Sequence, residues 1–550
     1  MRKPPSTLHA IAYFFVGFLI FLGVGVWVFF SFFFEDMLNT FAVPKLEEAA
    51  LTATHGVYHL KLGRISYHHH KILCAGFDLQ RVRYDSGAQG TAIKRVLIDT
   101  VEFTGVNILK IYLGKALAMT SIQMDSPKIY MADLAMEKPT PRDPAADSLR
   151  IVKAAPIKLP VISFDSIALR DIRLFLPDRQ GPGEEPSFRG ISFRLTDFYF
   201  NSETKQAQPV LFSKRADIAI ADIIYPIGDG TYSLEFKNLR GNSADSVITV
   251  DKFEFEPNYS EAEFAASHKY ATSRLDLRCE GIRIDGVNFV SSFSAGNIVF
   301  RKFVANSWFL DSYEDRTRPA DPHPPVAFMP NELISTLPIK IDIDSIIFNN
   351  GEIRIRERKS GTPGMLGFTH AHIAMSPISK DTLSPRYKKP TTIVASAYFL
   401  GKALLNVTAA YPLHEKNFDL NLHATLGSFS VEKLNAFLIP NERIEITGGE
   451  VQSARITMAI HSGVSTTTVT PLYSGFKVKV LPKDPAAKPG LMEKLKTFIA
   501  KTFILDASNP DDNALLPGTT SLARAPSQEF MQFIWLSLRK SLGKVVGGFQ

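Results

Sequence analysis

Three consecutive histidines, His68, His69 and His70, are the first residues whose type and spacing could do chemistry. On a strand, His68 and His70 would share a face and could present two imidazoles to a metal ion. A zinc site takes three or four protein ligands, and no third stands at a recognised spacing, so the run reads as a polar strand end or loop. Gly-Lys occurs in two related phrases, YLGKALAMTSI at 112–122 and YFLGKALLNVTA at 398–409. A phosphate-binding loop would need Ser or Thr after the lysine and a further glycine upstream. Ala116 and Ala403 stand after the lysines, and the upstream glycine is missing. Asp165-Ser166 and Asp344-Ser345 recur in similar settings, but acids such as Asp342 and Asp344 fall on the polar side of an alternating strand, where solvation is their ordinary role. The chain has no Gly-x-Ser-x-Gly elbow, no His-Glu-x-x-His and no Cys-x-x-Cys. A non-enzymatic protein with no catalytic residue, no metal and no cofactor is expected.

The elements around these residues are strands. In IKIDID, Ile339, Ile341 and Ile343 face one way while Lys340, Asp342 and Asp344 face the other, and EIRIR repeats the pattern with Ile353 and Ile355. FDLNLHATLG at 418–427, with Leu420 and Leu422, and FKVKVL at 476–481, with Val478 and Val480, alternate in the same way. Gly, Asn or Asp stands at most of the breaks, as turns require. Helical periodicity is confined to PKLEEAALTA after residue 43, to 431–439, to 491–503 and to the tail. Runs of strands with few helices predict a mainly β body, mostly antiparallel, rather than a doubly wound parallel sheet.

One sentence is written twice. LPVISFDSIALRDIRLFLPD (159–178) and LPIKIDIDSIIFNNGEIRIRER (337–358) share a Leu-Pro opening, an Asp-Ser pair, a polar break and a second apolar alternation; RVLIDTVEFTGVNILKIY (95–112) is a weaker copy. Each copy reads as two short strands around a turn, and the self-similarity predicts an elongated, twisted sheet of related hairpin units. Pro-rich, charged stretches at 137–148, 177–187, 318–330, 379–390, 482–489 and 506–518 read as loops between such units. At about 12 to 18 residues per strand and turn, the body would hold roughly 25 to 35 strands and stack on the order of 120 to 170 Å long.

Residues 10–34, AIAYFFVGFLIFLGVGVWVFFSFFF, carry no charge and are long enough to cross a bilayer. Arg2 and Lys3 precede them and Glu35 and Asp36 follow, which places residues 1–9 in the cytoplasm and the body on the far side of the membrane. A cleaved signal would have a shorter apolar region ending in small residues rather than three phenylalanines and two acids. At 45% hydrophobic and 21% charged the composition is globular, and with no long Lys/Arg block the net charge of +7 does not point to nucleic acid. Cys74 and Cys279 lie in apolar, strand-like settings and read as two buried free thiols.

The body divides into segments at 35–158, 159–330 and 331–484, followed at 485–550 by a linker and amphipathic helices. If the sheet curls into a trough, Ile339, Ile341, Ile343, Ile353, Ile355, Leu420, Leu422, Val478 and Val480 would line a groove one or two acyl chains wide. If the apolar face instead closes on itself, it becomes an ordinary sandwich core. In the tail, SQEFMQFIWLSLRKSLGKVV, Phe530, Phe533, Ile534, Leu538, Leu542 and Val545 follow helical spacing, with Trp535 and three basic residues beside them. Such a helix can cover the end of the sheet or dock on a membrane or an envelope protein.

The apolar first segment, the repeated hairpin phrase, ALAMTSIQMDSPKIYM (116–131) and the block 418–458 followed by YSGFKVKVLPKD (473–484) resemble the AsmA-like proteins of Gram-negative envelopes. The resemblance covers most of the chain and rests on alternation and turn residues such as Gly448 and Gly449. It implies a bacterial inner-membrane anchor at 10–34, a periplasmic β-groove in contact with phospholipid acyl chains, and a role in lipid movement or outer-membrane homeostasis. The alternative is a scaffold for outer-membrane assembly with a closed β core.

Overall fold

A computed structural model of the chain describes residues 34–54, 56–68, 71–84, 91–106, 117–133, 161–177, 188–201, 212–227, 230–481, 508–510 and 514–547. The described chain is mainly β, its strands mostly antiparallel and its helices few and short. Two compact units divide it, Met1–Asp222 and Ile223–Gln550. The apolar stretch at 10–34 and the helix expected at 491–503 lie outside the described residues, save for Phe34.

In the first unit a helical stretch from Phe34 passes through a π-turn at Leu38–Ala42 into α1 (Val43–Ala53). The strands β1 (Tyr58–Leu62), β2 (Ile65–His68), β3 (Lys71–Arg81), β4 (Thr91–Thr104), β5 (Leu117–Asp125), β6 (Lys128–Asp133), β7 (Val161–Phe175) and β8 (Phe188–Asn201) follow. β1 and β2 both pair with β3, so each leaves an edge whose backbone needs partners. Side chains supply them. The Tyr67 and Leu62 N–H groups donate to the carboxylates of Glu35 and Glu47, both at 2.8 Å, and Asn39 exchanges two hydrogen bonds with the backbone of Ile65. Beneath them Leu38 and Val43 pack on a core of Ile65, Cys74, Ile98 and Val101.

β9 (Ser213–Ile227) contains the division. The second unit holds β10 (Tyr232–Asn242), β11 (Val247–Pro257), α2 (Glu261–Ser267), β12 (Ser273–Asp285), α3 (Phe289–Ala295), β13 (Ile298–Ala305) and β14 (Ser307–Asp315). After them come α4 (Pro330–Thr336), β15 (Ile341–Arg358), β16 (Gly364–Ser376), β17 (Ile378–Ser379), β18 (Thr391–Phe399) and β19 (Ala403–Tyr411). The unit ends with β20 (Leu420–Leu426), β21 (Phe429–Ser430), α5 (Asn435–Glu442), β22 (Ile444–His461), β23 (Val464–Val480), β24 (Gly518–Ala523) and α6 (Phe530–Val546). Within this unit pairing follows chain order from β10 to β24.

The repeated phrase is not a hairpin. Each copy is one long strand, β7 and β15, and the polar break expected as a turn is a bulge at Asp171 (φ 52°) and at Asn350 (φ 46°). Asp and Asn tolerate the left-handed backbone such a bulge requires, which is why bulge and turn look alike in sequence. Both strands have the same neighbours. β7 runs parallel to β5 and β6, which lie end to end along it, and antiparallel to β8. β15 runs parallel to β13 and β14, also end to end, and antiparallel to β16. β4 and β12 close the other side of those split rows. The repeat unit is therefore a module of four rows with a parallel step at its centre. Of the 24 strands among the described residues, several share rows in this way, so strand number overstates the length of the stack.

Gly351 shows how tightly one bulge is set. A Cβ there would lie 2.0 to 2.4 Å from three atoms of the Trp308 indole, the cross-strand neighbour that covers it. Gly351→Ala must displace a buried ring and is expected to cost about 1–3 kcal/mol, the usual range for overpacking. Urea midpoints should show the loss in G351A, and most of it should vanish when Trp308→Leu is added.

Candidate functional site

Cross-strand register arranges the apolar residues of the second unit in rungs. One rung runs Leu234, Phe255, Leu277, Leu310, Ile353, Phe368 and Phe399 to Ala403, each directly opposite the next. From Leu234 to Phe399 every side chain is half-buried, and only Ala403 is fully buried. A second rung runs Ile248, Ile284, Phe303, Ile346, Met375, Ile393, Ala409, Leu422 and Met458 to Thr467 and Thr520. Its burial changes along the sheet: Ile248 to Ile393 are half-buried, whereas Met458 and Thr467 are buried. The apolar face is thus partly open over β10 to β18 and covered towards β22 and β23.

The opposite face is charged with a period of two. Glu235–Lys237, Lys252–Glu254, Asp276–Arg278, Arg283–Asp285 and Glu352–Arg354 are ion pairs between alternate residues of one strand, at 2.6 to 3.0 Å. Cross-strand pairs stitch them together, as with Arg278–Glu256 at 3.1 Å, while Arg316 with Glu314 and Glu357 lies on the rung's side at the end of β14. Most are exposed enough to contribute little individually. Arg356 is the exception, gripping the buried Asp311 with two guanidinium nitrogens and Glu261 at 2.5 Å, and these hydrogen bonds hold its guanidinium firmly charged. Burial alone would raise Glu254, but the hydrogen bond and charge of Lys252 outweigh it and hold the carboxyl below its ordinary value.

The residues expected to line a groove are divided by this geometry. Ile341, Ile343 and Leu420 are buried in a core with Met458, Ile460 and Phe533, and Ile339 and Leu422 pack against it half-buried. Ile353 sits in the half-open rung; Ile355, two residues on, is 41% exposed. Val478 and Val480 are half-buried on β23, opposite Ile446 and Ile444. Asp342 and Asp344, weighed as candidate chemistry, are both held by Arg386, with the Arg386–Asp342 contact at 2.8 Å. His68 ends β2 at 4.0 Å from Glu35, His69 and His70 lie outside the described residues, and no group of three metal-ligating side chains occurs among the described residues.

What covers the closed end is α6, and its inner face holds more than the apolar residues expected. Phe533 is fully buried and Phe530 and Ile534 pack on the core, but the seam continues through Ser537 and Ser541. Ser537 meets Ser465 at 2.6 Å, Ser541 donates to the Thr467 carbonyl at 2.9 Å, and Thr520 meets Ser541 at 2.6 Å. A Cβ on Gly518 would stand 2.1 Å from the Ser541 carbonyl, so glycine is what lets the helix sit this close to β24. Lys540 and Lys544 donate to the carbonyls of Ser521 and Thr519, covering the edge of β24. The apolar rung therefore ends in a polar, hydrogen-bonded seam. Serines four apart on a helix, opposite the Ser/Thr alternation of 465–468, are the sequence signal that marks it. Trp535 is exposed and Leu538 half-buried.

Neither a family model nor a curated protein matches the chain. Among the described residues no helix is long and apolar enough to cross a membrane.

Two measurements test this geometry. Ser465→Ala leaves the Ser537 hydroxyl buried without its partner and should cost about 1–3 kcal/mol, whereas S465A with S537A should cost less than the sum; a double-mutant cycle on denaturation midpoints reads this coupling. Cys279 is buried between Phe253 and Trp308, both directly across from it, and burial pushes its thiol up to about 11. In the folded chain it stays protonated up to that pH, while an unfolded thiol ionises near about 8.5. The stability this thiol contributes is full below the unfolded value and declines as pH rises from there through the folded value. At pH 8 iodoacetamide should label Cys279 in denaturant and spare it in the folded chain, as peptide mass spectrometry would show.

Proposed function

We propose that the chain binds phospholipid acyl chains along the half-open apolar face of its second unit and serves lipid movement within a bacterial envelope. The observation that carries this reading is the rung from Leu234 to Phe399, seven half-buried apolar side chains in line across seven strands. An apolar strip of this length, backed by a charged face, fits an extended hydrocarbon better than a compact polar ligand. The resemblance of the sequence to AsmA-like proteins agrees, and under this reading residues 10–34 anchor the chain in the inner membrane, with the body in the periplasm as a curled sheet. The role is binding and conduction, with no catalytic step, cofactor or nucleic acid.

The full chain, extracted in mild detergent, should carry phospholipid recoverable by mass spectrometry. Leu277→Glu with Leu310→Glu places two carboxylates on the rung and should reduce that lipid several-fold, while Arg354→Gln on the charged face should leave it unchanged. Recovery no higher than from detergent alone, or equal recovery from the rung variant, would falsify the proposal. A second reading, a scaffold with a closed core, is favoured by the fully buried cluster of Ile341, Ile343, Leu420 and Ile460 under Phe533. That reading expects lipid-free protein with co-purifying polypeptides.

A further inference from the structure

We infer that the outer face of α6 docks on an anionic lipid surface. Met531, Trp535, Leu538 and Leu542 recur at i, i+4, i+7 and i+11, the spacing of one helical stripe. Met531 is 70% exposed, Trp535 51% and Leu542 38%, although the other side of the helix is already filled by the Phe533, Ser537 and Ser541 seam. The stripe is therefore surplus to the packing of the sheet end, and a helix that only capped the core would carry polar residues there.

The charge beside the stripe selects the occupant. From Phe530 to Val546 the helix has no acidic residue and three bases, Arg539, Lys540 and Lys544. Lys540 and Lys544 are tied to strand carbonyls, and among the described residues no acidic side chain pairs with either, so their charges are fixed in place. An apolar stripe with a tryptophan, flanked by charge of one sign, matches the two layers of a membrane surface: anionic headgroups for the bases and acyl chains for Met531, Trp535 and Leu542. A protein partner would need an acidic rim around an apolar pocket, and a second copy of this helix would bring like charges together. This inference stands apart from the acyl-chain rung, which lies on the sheet and not on the outside of α6.

The test places the full chain in nanodiscs of phosphatidylcholine and mixes them with separate vesicles of phosphatidylcholine, with or without phosphatidylglycerol. The chain should float with the phosphatidylglycerol vesicles at least about tenfold more than with neutral ones, and added salt should release it. Met531→Ser, Trp535→Ser and Leu542→Ser together should remove that binding without changing the denaturation midpoint, because all three side chains are exposed, and without changing co-purified phospholipid. Equal flotation with neutral vesicles, or undiminished flotation of the triple variant, overturns the inference. So does the finding that the triple substitution abolishes only self-association or capture of a polypeptide. Loss of co-purified lipid from the rung variant with vesicle docking intact would bear on the acyl-chain reading alone.

Discussion

Backbone register on β15 is the constraint on which the second unit depends. This strand bonds in parallel to β13 and β14 on one edge and antiparallel to β16 and β17 on the other, so four neighbours take their alignment from it. Side chains alternate with a period of two, and a slip of one residue would turn Ile341, Ile343 and Ile353 towards the charged face. Two features hold it in place. The bulge at Asn350 is fixed by the indole lying over Gly351, and the Arg356–Asp311 grip spans β14 and β15 on the charged side. The rungs exist because this register is carried from strand to strand.

Open sheet edges expose backbone donors and acceptors, and the chain meets this problem in the same way at each terminal element. Before β1 and β2, carboxylates and an amide from the first helical stretch accept the strand N–H groups. Beside β24, lysines from α6 donate to alternate carbonyls. The chemistry is matched to what each edge offers: acceptors where N–H groups are free and donors where C=O groups are. The Ser/Thr seam then decides where the apolar face stops, since hydroxyls that pair as Ser465 with Ser537 and Thr520 with Ser541 do can be buried but offer nothing to a hydrocarbon.

The alternation that makes the strands was legible residue by residue, because apolar and polar positions on β12, β15 and β20 follow the period of the pleat. The free, buried state of Cys74 and Cys279 was legible for the same reason: both sit on apolar positions of strands. The bulges were not, because Asn349-Asn350-Gly351 carries the residue types of a tight turn, and only the neighbours of β15 decide between folding back and running on. The parallel step was hidden too. It joins β14 to β15 across residues 316–340, and a connection of that length names no partner by itself. The seam of α6 was misjudged because helical periodicity counts Leu542 as an inner residue and Ser541 as an outer one, whereas hydrogen-bond partners on β23 and β24 reverse them.

The half-open rung needs a cause. Fully burying one Leu, Ile or Phe side chain gains about 1.5–3 kcal/mol, and stopping halfway on seven strands forgoes much of that gain. The fold has the means to close this face, as Phe533 and the helices do over β20 and β22. Over the rung from Leu234 to Phe399 that closure is incomplete: among the described residues α4 spends Ile334 on the closed core, and the short α2 spends its one buried aromatic, Phe264, on Tyr232 and on the ion-paired end of β14. A rung that stays apolar, aligned and half-open keeps part of its free energy for whatever fills it. In the proposed reading that is an acyl chain, which can slide along a rung of equivalent side chains because no hydrogen bond fixes it at any one strand.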